Sequence, residues 1–278
     1  MKVTFLGTGT SQGVPIIACE CEVCISADNK DKRLRSSVLI ETENTNFIID
    51  TGPDFRYQML REGVKKLDAV VFTHEHKDHI AGFDDIRGFN WKTQMPMEVY
   101  ATPDVEIALK RDFHYAFAEK RYPGVPSLNL HVLDNAPFSI GDLELTPIEV
   151  LHYKFPVFGY RVGDFSYVTD VNFISVDEMH NLQGRKVLVL RALRQSDHIS
   201  HYSLEQAIEV AREIGAEQTY FTHMIPERWP ETNIYYSVCV AIEYATFYAQ
   251  YAMQSKLSML CKCKLSMLCK TCYGTRTM

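Results

Sequence analysis

The densest group of chemically competent side chains lies between residues 74 and 79. The motif His74-x-His76-x-Asp78-His79 directly follows an apolar strand predicted for residues 69–72. Neutral imidazoles and a carboxylate are the ligands that borderline divalent cations prefer, and so dense a cluster is costly to desolvate without a partner. A turn after the strand can present His74 and His76 to one ion while Asp78 and His79 turn back toward another. The spacing therefore predicts two divalent metal ions.

Three further residues of ligand type stand at comparable places in the chain. His152, Asp170 and His223 each follow a predicted strand. Any one of them alone is more typical of an ordinary loop. Because the carboxyl ends of strands in an α/β sheet gather active-site residues, we predict that all three join the dense motif at one edge.

Strands and helices alternate through the first two thirds of the chain. Helices are predicted at residues 103–118, 175–182 and 203–214. The last begins with a capping box formed by Ser203 and Gln206, and Gly215 follows its end. Strands in two groups with helices between them predict a layered α/β or α+β sandwich.

The composition excludes several classes of protein. An apolar fraction of 46% over 278 residues excludes a disordered or collagen-like chain and permits a substantial core. The net charge of −6 argues against a nucleic-acid partner held by a basic surface. No apolar run of signal-peptide length opens the sequence, and no purely apolar stretch could span a membrane. We therefore expect a cytoplasmic protein without a membrane partner.

The ordered set of histidines and aspartates resembles the metallo-β-lactamase superfamily of binuclear hydrolases. The resemblance implies an α+β fold of the four-layer αββα type, which agrees with the pattern of elements. The resemblance leaves open whether the two ions are zinc or manganese. The implied ligands are a bridging Asp170, with His74, His76 and His152 at one ion and Asp78, His79 and His223 at the other.

Two segments resemble one branch of that superfamily. The glycine-rich residues 7–13, followed by Cys19-x-Cys21-x-x-Cys24, resemble the phosphoribosyl 1,2-cyclic phosphate phosphodiesterase-like branch, and the resemblance covers residues 1–224. His201, at the start of the third predicted helix, resembles the additional histidine of the phosphodiesterases. We prefer it to the neighbouring His198 because of its spacing from Ser203.

The resemblance implies a phosphodiesterase that acts on a small, cyclic phosphodiester through attack by metal-bound hydroxide. Asp78 and His201 would be its catalytic residues. Assembly into a homodimer stays an open alternative. Three alternatives also stay open on the same fold. They are a tRNA 3′-processing endonuclease, a thioester or lactone hydrolase, and a protein inactivated by an altered C-terminus.

Three cysteines near the N-terminus form another candidate metal site. Thiolates at Cys19, Cys21 and Cys24 suit a structural zinc ion, although three free thiols are the alternative. The resemblance implies a histidine as the fourth ligand, at the position that Pro226 occupies here. Because proline offers no side-chain donor, the site is either completed by another group, left three-coordinate, or lost.

The C-terminal part of the sequence differs in character from the rest. The segment Lys-Leu-Ser-Met-Leu-Cys-Lys occurs at residues 256–262 and again at 264–270. A repeat of seven residues is too short to be a structural repeat unit, so we interpret it as a low-complexity segment. We therefore predict a hydrolase domain over residues 1–224 and an atypical tail over 225–278. A frameshift and a divergent, disordered extension are both open as its origin.

Overall fold

Alternating burial along the strands builds a core between two β-sheets. In the computed structural model, which describes residues 1–228 and the strand segments 238–240 and 246–248, each sheet turns one face inward. Helices cover both outer faces. The predicted α+β class and four-layer αββα sandwich are therefore confirmed. Among the described residues, no helix has the length and apolar character needed to cross a membrane.

The elements alternate along the chain as the sequence pattern indicates. The strands are β1 (Lys2–Gly7), β2 (Ser37–Glu41), β3 (Asn46–Ile49), β4 (Ala69–Val71), β5 (Met97–Ala101), β6 (Leu128–Val132), β7 (Phe138–Ile140), β8 (Leu143–His152), β9 (Phe155–Val162), β10 (Phe165–Val168), β11 (Phe173–Ile174), β12 (Val187–Arg191), β13 (Gln218–Thr222), β14 (Val238–Val240) and β15 (Thr246–Tyr248). The helices are α1 (Glu22–Ile25), α2 (Phe55–Arg61), α3 (Lys77–Ile80), α4 (Arg87–Thr93), α5 (Pro103–Asp112), α6 (His114–Phe117), α7 (Val176–Leu182) and α8 (Leu204–Ile214), with 3₁₀ turns at Asn29–Asp31 and Phe83–Ile86.

The two sheets are both mixed. The first has the order β15-β1-β2-β3-β4-β5-β6, and the second has the order β11-β8-β9-β10-β12-β13-β14, with β7 paired to β8. Strands β3 to β6 run parallel to one another, as do β10, β12 and β13. The carboxyl ends of these parallel strands face one edge of the sandwich, where the candidate site lies.

Strand β12 shows how one strand serves two layers. Val187 and Val189 pack into the core between the sheets, whereas Leu188 and Leu190 pack against the helix layer of α7 and α8. Successive side chains of a strand point to opposite faces, so a continuous apolar run is what a strand buried on both faces requires.

Two of the three predicted helices agree with the structure, and the third is wrong in length. The capping box at Ser203 is present, and Gly215 ends α8 with a φ of 67°. The predicted helix over residues 103–118 is instead divided into α5 and α6 at Phe113, whose φ is −121°. The Phe113 ring packs on Phe83 at 5.4 Å, and burying it turns the chain out of the helical path.

Two short strands fall within the range predicted as an atypical tail. Strand β14 pairs in parallel with β13, and β15 pairs antiparallel with β1. Both sheets thus extend beyond residue 224 in the described part of the chain. The repeated segments at 256–262 and 264–270 lie outside the described residues, so the domain boundary stays a prediction.

One buried hydrogen bond ties the two sheets together beneath the site. The hydroxyl of Tyr160 in β9 donates to the carbonyl of Phe72, immediately after β4, at 2.6 Å. We expect Tyr160→Phe to lower the free energy of unfolding by about 1–2 kcal/mol, because the buried carbonyl loses its donor. Urea denaturation measures this change. Tyr57→Phe, on the exposed surface of α2, is the control, and equal stability of the two variants would contradict the role of this bond.

Candidate metal centre

The dense histidine motif spans the junction between β4 and α3. His76 has extended backbone angles (φ −65°, ψ 149°) and caps the N-terminus of α3, which contains Asp78 and His79. His74 and His76 therefore precede the helix, while the other two residues turn back within it. The Nε2 atom of His74 lies 3.0 Å from Nδ1 of His76, so both rings face one point.

His152 joins this pair from the second sheet. One ring nitrogen from each of His74, His76 and His152 lies within 4.8 Å of the others. His152 ends β8, and its Nδ1 lies 3.0 Å from the carbonyl oxygen of Ser200. Because a carbonyl only accepts hydrogen bonds, Nδ1 donates and Nε2 keeps its lone pair for a ligand role.

Asp78, His79 and His223 form the second group of potential ligands. Their ligand atoms also lie within 4.8 Å of one another. Oδ2 of Asp78 is 3.1 Å from Nε2 of His79 and 3.7 Å from Nε2 of His223. The rings of His79 and His223 stack with a centroid distance of 5.6 Å. The structure thus brings the predicted ligands together in the two predicted triads.

Asp170 lies between the two triads. Its Oδ2 is 3.2 Å from both Nε2 of His79 and Nδ1 of His223. Burial alone would raise the pKa of this carboxyl, but the nearby Arg191, His223 and His79 outweigh burial and hold the pKa well below its usual range. Asp170 is therefore ionised at the position where a bridging carboxylate would be needed.

The buried atoms fit divalent cations. Nε2 of His79 is buried, has no hydrogen-bond partner among the described residues, and lies close to the carboxylates of Asp78 and Asp170. Burial lowers the pKa of His79, but Asp78, Asp50 and Asp170 outweigh it and hold the pKa well above its ordinary value. The carboxylates thus concentrate negative charge around this atom, and a bound cation would neutralise it. Imidazole and carboxylate ligands match zinc or manganese.

Asp50 is a site residue that sequence reasoning missed. Its carboxylate is fully buried and accepts hydrogen bonds from the backbone N–H and the hydroxyl of Thr73, both at 2.9 Å. It also lies 2.7 Å from Nδ1 of His79 and so turns the opposite nitrogen toward the site. The residue follows a strand, as the other ligands do, but Asp50-Thr51-Gly52-Pro53 is also typical of a turn.

Arg191 was missed as well. It ends β12, is 1% exposed, and pairs with Oδ1 of Asp170. A buried charge requires a partner, and each of these two residues is the other's partner. The signal in the sequence was a basic residue at the end of the apolar run of residues 187–190, which looks like the start of an exposed loop.

His201 lies beside the first triad. Its ring stacks on His152 at a centroid distance of 4.5 Å, and it groups with His152 and Asp170 within 4.8 Å. His198 packs against His201 at 4.8 Å. Burial and then the charge of Arg191 lower the pKa of His201, so the ring is neutral at pH 7. Its Nδ1 is buried with no hydrogen-bond partner among the described residues.

Backbone strain concentrates around these side chains. Six residues other than glycine have a left-handed φ in the described part of the chain, and four of them surround the site. These four are Asp50 (67°), Tyr153 (59°), Asp170 (50°) and His223 (62°). Each costs about 1–3 kcal/mol, and such strain persists where the surrounding structure holds a residue in place for function.

The three N-terminal cysteines form a separate candidate metal site. The Sγ atoms of Cys19, Cys21 and Cys24 lie within 4.8 Å of one another, and the three are free thiols in this structure. A hydrogen bond from the Cys24 backbone lowers the pKa of Cys21, whereas burial raises the pKa of Cys24 to about 11. Sγ of Cys21 lies 3.7 Å from the carbonyl oxygen of Pro226, which is where a fourth ligand was expected.

A histidine at position 226 should complete the cysteine site. We expect Pro226→His to raise retained zinc by about one equivalent, because structural zinc sites need four ligands. Metal content after exhaustive dialysis measures the change, with Glu227→His as the control one residue away. Equal retention by the wild type and both variants would show that this position does not reach the cluster.

The Arg191–Asp170 pair should govern the stability of the metal-free protein. We expect Arg191→Met to lower the free energy of unfolding by about 3 kcal/mol, because it removes the fixed positive charge that pairs with the buried carboxylate, which His79 and His223 only partly replace. Adding Asp170→Asn should restore most of the loss. Urea denaturation measures both variants, and Arg56→Met on the exposed surface is the control. A loss that Asp170→Asn deepens instead would contradict the pairing.

Comparisons with known proteins agree with this geometry. The family model described as "Beta-lactamase superfamily domain" matches residues 45–224. A crystal structure described as "a New Diphosphatase from the PhnP Family" has 36% sequence identity and a TM-score of 0.83, and the match covers 88% of this chain and 96% of that one.

Two curated proteins also match the chain over most of its length. An octanoyltransferase of Porphyromonas gingivalis is 39% identical over 81% of this chain, and a ribonuclease Z of Exiguobacterium sp. is 24% identical over 71%. The chain covers only 46% of the octanoyltransferase and 59% of the ribonuclease Z.

The family model and the 36%-identical structure establish the family. The chain belongs to the metallo-β-lactamase superfamily of metal-dependent hydrolases, in its PhnP-like branch.

Proposed function

We propose that this protein is a binuclear phosphodiesterase that hydrolyses a small, cyclic phosphodiester. The observation that carries the proposal is the arrangement of two ligand triads on either side of Asp170, with His201 beside one of them. His74, His76 and His152 would hold one divalent ion, and Asp78, His79 and His223 the other. Two such ions lower the pKa of bound water and neutralise charge on the phosphoryl oxygens.

Asp78 and His201 would act on the substrate and on the attacking water. Burial raises the pKa of Asp78, but His79 and His223 outweigh it and keep the carboxyl ionised. Its carboxylate is mostly buried, with 13% of the side chain exposed, and this exposed part can accept a hydrogen bond from the attacking water and orient it. The neutral His201 would donate to a phosphoryl or leaving-group oxygen, and a phosphate anion beside it raises its pKa toward that of a proton donor.

A diphosphate linkage is the second candidate for the scissile bond. The 36%-identical structure is described as a diphosphatase, and it is matched over 96% of its length. Both linkages would place a phosphoryl group with anionic oxygens beside the two triads, and both are hydrolysed by attack at phosphorus in line with the leaving oxygen. The candidates differ in the charge of the phosphoryl group and in the leaving group, an alkoxide or a phosphate, which His201 would meet.

Acyl transfer is less well supported. The octanoyltransferase name belongs to a protein of which this chain matches 46%, so that activity can reside in the remainder. A thioester hydrolase would make little use of His201 as a proton donor. An octanoyl thioester and a lactone therefore belong in the substrate panel as rivals, together with a precursor tRNA.

His76→Ala is the cleanest test of the proposed centre. His76 is exposed, so its loss removes a ligand at little cost in folding. We expect hydrolysis of bis(p-nitrophenyl) phosphate to fall by at least about a hundredfold, because even groups that only orient metal ligands give losses of about 10–100-fold. The release of p-nitrophenolate, followed by its absorbance, measures the rate. The control variant is His180→Ala, on the exposed surface of α7.

The same assay also tests whether hydrolysis depends on a divalent metal ion. Treatment with a chelator should abolish hydrolysis, and zinc or manganese should restore it. Full activity in a metal-depleted preparation would refute the scheme. Faster turnover of the octanoyl thioester, the lactone or the tRNA than of any small phosphodiester or diphosphate would replace the proposed substrate class.

A further inference from the structure

Three exposed apolar side chains form a rim at the mouth of the candidate metal centre. They are Tyr153, Phe155 and Ile199, with exposed fractions of 40%, 62% and 73%. Together with His76, His152 and Ser200, these residues line an open cleft of about 260 Å³. The rim therefore borders two of the residues that would hold the first metal ion.

Two chain segments connect the rim to the metal centre, and both of them contact His152. Tyr153 and Lys154 form the tight turn between β8 and β9, where Phe155 pairs with His152. Ile199 stands next to Ser200, whose carbonyl fixes the His152 ring. A group held by this rim would thus lie a short distance from the reacting phosphorus, on the side of His152.

The exposure of the rim is costly unless something binds there. Each large apolar side chain left in water forgoes burial of its surface, and contiguous apolar surface beside polar groups is typical of ligand sites. Tyr153 holds a left-handed φ of 59°, as the two-residue turn between β8 and β9 requires. The exposed apolar surface beside His76 and His152 is the feature that points to a ligand at this place.

The size and chemistry of the cleft indicate what it binds. Ligand pockets for drug-sized molecules are roughly 300–1,000 Å³, so a cleft of about 260 Å³ suits one ring system. Two aromatic rings and an aliphatic side chain favour a flat, apolar face. Lys154, whose Nζ lies 5.2 Å from the centre of the Tyr153 ring, adds a positive charge beside it.

We propose that this rim is a subsite for a planar aromatic group carried by the substrate, and that the natural group is a nucleobase. Phe155 and Tyr153 would stack on its faces while Lys154 meets the negative charge of the attached phosphoryl group. The proposal rests on the proposed function and deepens it. The substrate is then a phosphodiester or diphosphate of a nucleoside, and the base stays on the product that keeps the phosphoryl group. For a cyclic phosphodiester, this is the single ring-opened product.

Three chromogenic substrates with the same leaving group test this subsite. They are the p-nitrophenyl ester of thymidine 5′-phosphate, bis(p-nitrophenyl) phosphate and methyl p-nitrophenyl phosphate. All release p-nitrophenolate, so differences between variants report the group that stays on phosphorus. In the wild type we expect the thymidine ester to have a kcat/KM about tenfold above that of the methyl ester.

Phe155→Ala should act on binding and not on chemistry. We expect its KM for the thymidine ester to rise about tenfold with kcat unchanged, since stacking of one base on an aromatic ring gives an effect of this order. The methyl ester should be unaffected, and Phe155→Tyr should restore the wild-type KM. Because Phe155 is exposed, its loss leaves the fold intact. Trp91→Ala, which removes an 82% exposed aromatic ring from α4, is the matched control.

Equilibrium binding separates this proposal from the proposed function. Isothermal titration calorimetry with thymidine 5′-phosphate should give a Kd about tenfold weaker for Phe155→Ala than for the wild type, even if no substrate is turned over. Equal Kd values, or an equal loss on the methyl ester, would overturn the nucleobase subsite while leaving hydrolysis intact. Hydrolysis of none of the three esters, nor of a nucleoside 2′,3′-cyclic phosphate, would instead overturn the proposed function alone.

Discussion

The buried carboxylate of Asp170 is the point on which the site depends. One of its oxygens pairs with Arg191, and the other lies 3.2 Å from ring nitrogens of both His79 and His223. An ionised carboxylate away from water is tolerated only where positive or donor groups surround it. Arg191 supplies a fixed charge, and the histidines supply nitrogens that a cation or a proton can fill. The remaining site residues are arranged around this requirement.

The two sheets meet this requirement by bringing strand ends together. Asp50 follows β3 and His74 follows β4 in the first sheet, whereas Asp170 follows β10 and His223 follows β13 in the second. The hydroxyl of Tyr160 donates across the interface at 2.6 Å and fixes the distance between the sheets below the site. A hydrolase centre shared between two sheets thus needs a rigid core, which the apolar faces of both sheets provide.

The sequence was informative where its chemistry was dense or its spacing regular. The motif of residues 74–79 indicated the site, and the capping box of Ser203 with Gln206 indicated α8. The sequence did not predict the roles of Asp50 and Arg191, because these roles arise from tertiary contacts. The sequence around Asp50 is typical of a turn, and that around Arg191 is typical of the start of a loop. The break at Phe113 escaped for the same reason, since the packing of its ring on Phe83 overrides helix propensity. The rim of Tyr153 and Phe155 resembled ordinary loop residues until the fold placed it beside His152.

The most direct test of the account is the position and number of metal ions in the purified protein. Anomalous diffraction collected at the zinc and manganese absorption edges locates each ion without reference to activity. The account predicts one ion among His74, His76 and His152 and another among Asp78, His79 and His223, with Asp170 touching both. A structure in which metal-supplemented protein leaves both triads empty, or binds an ion that Asp170 does not touch, would contradict it.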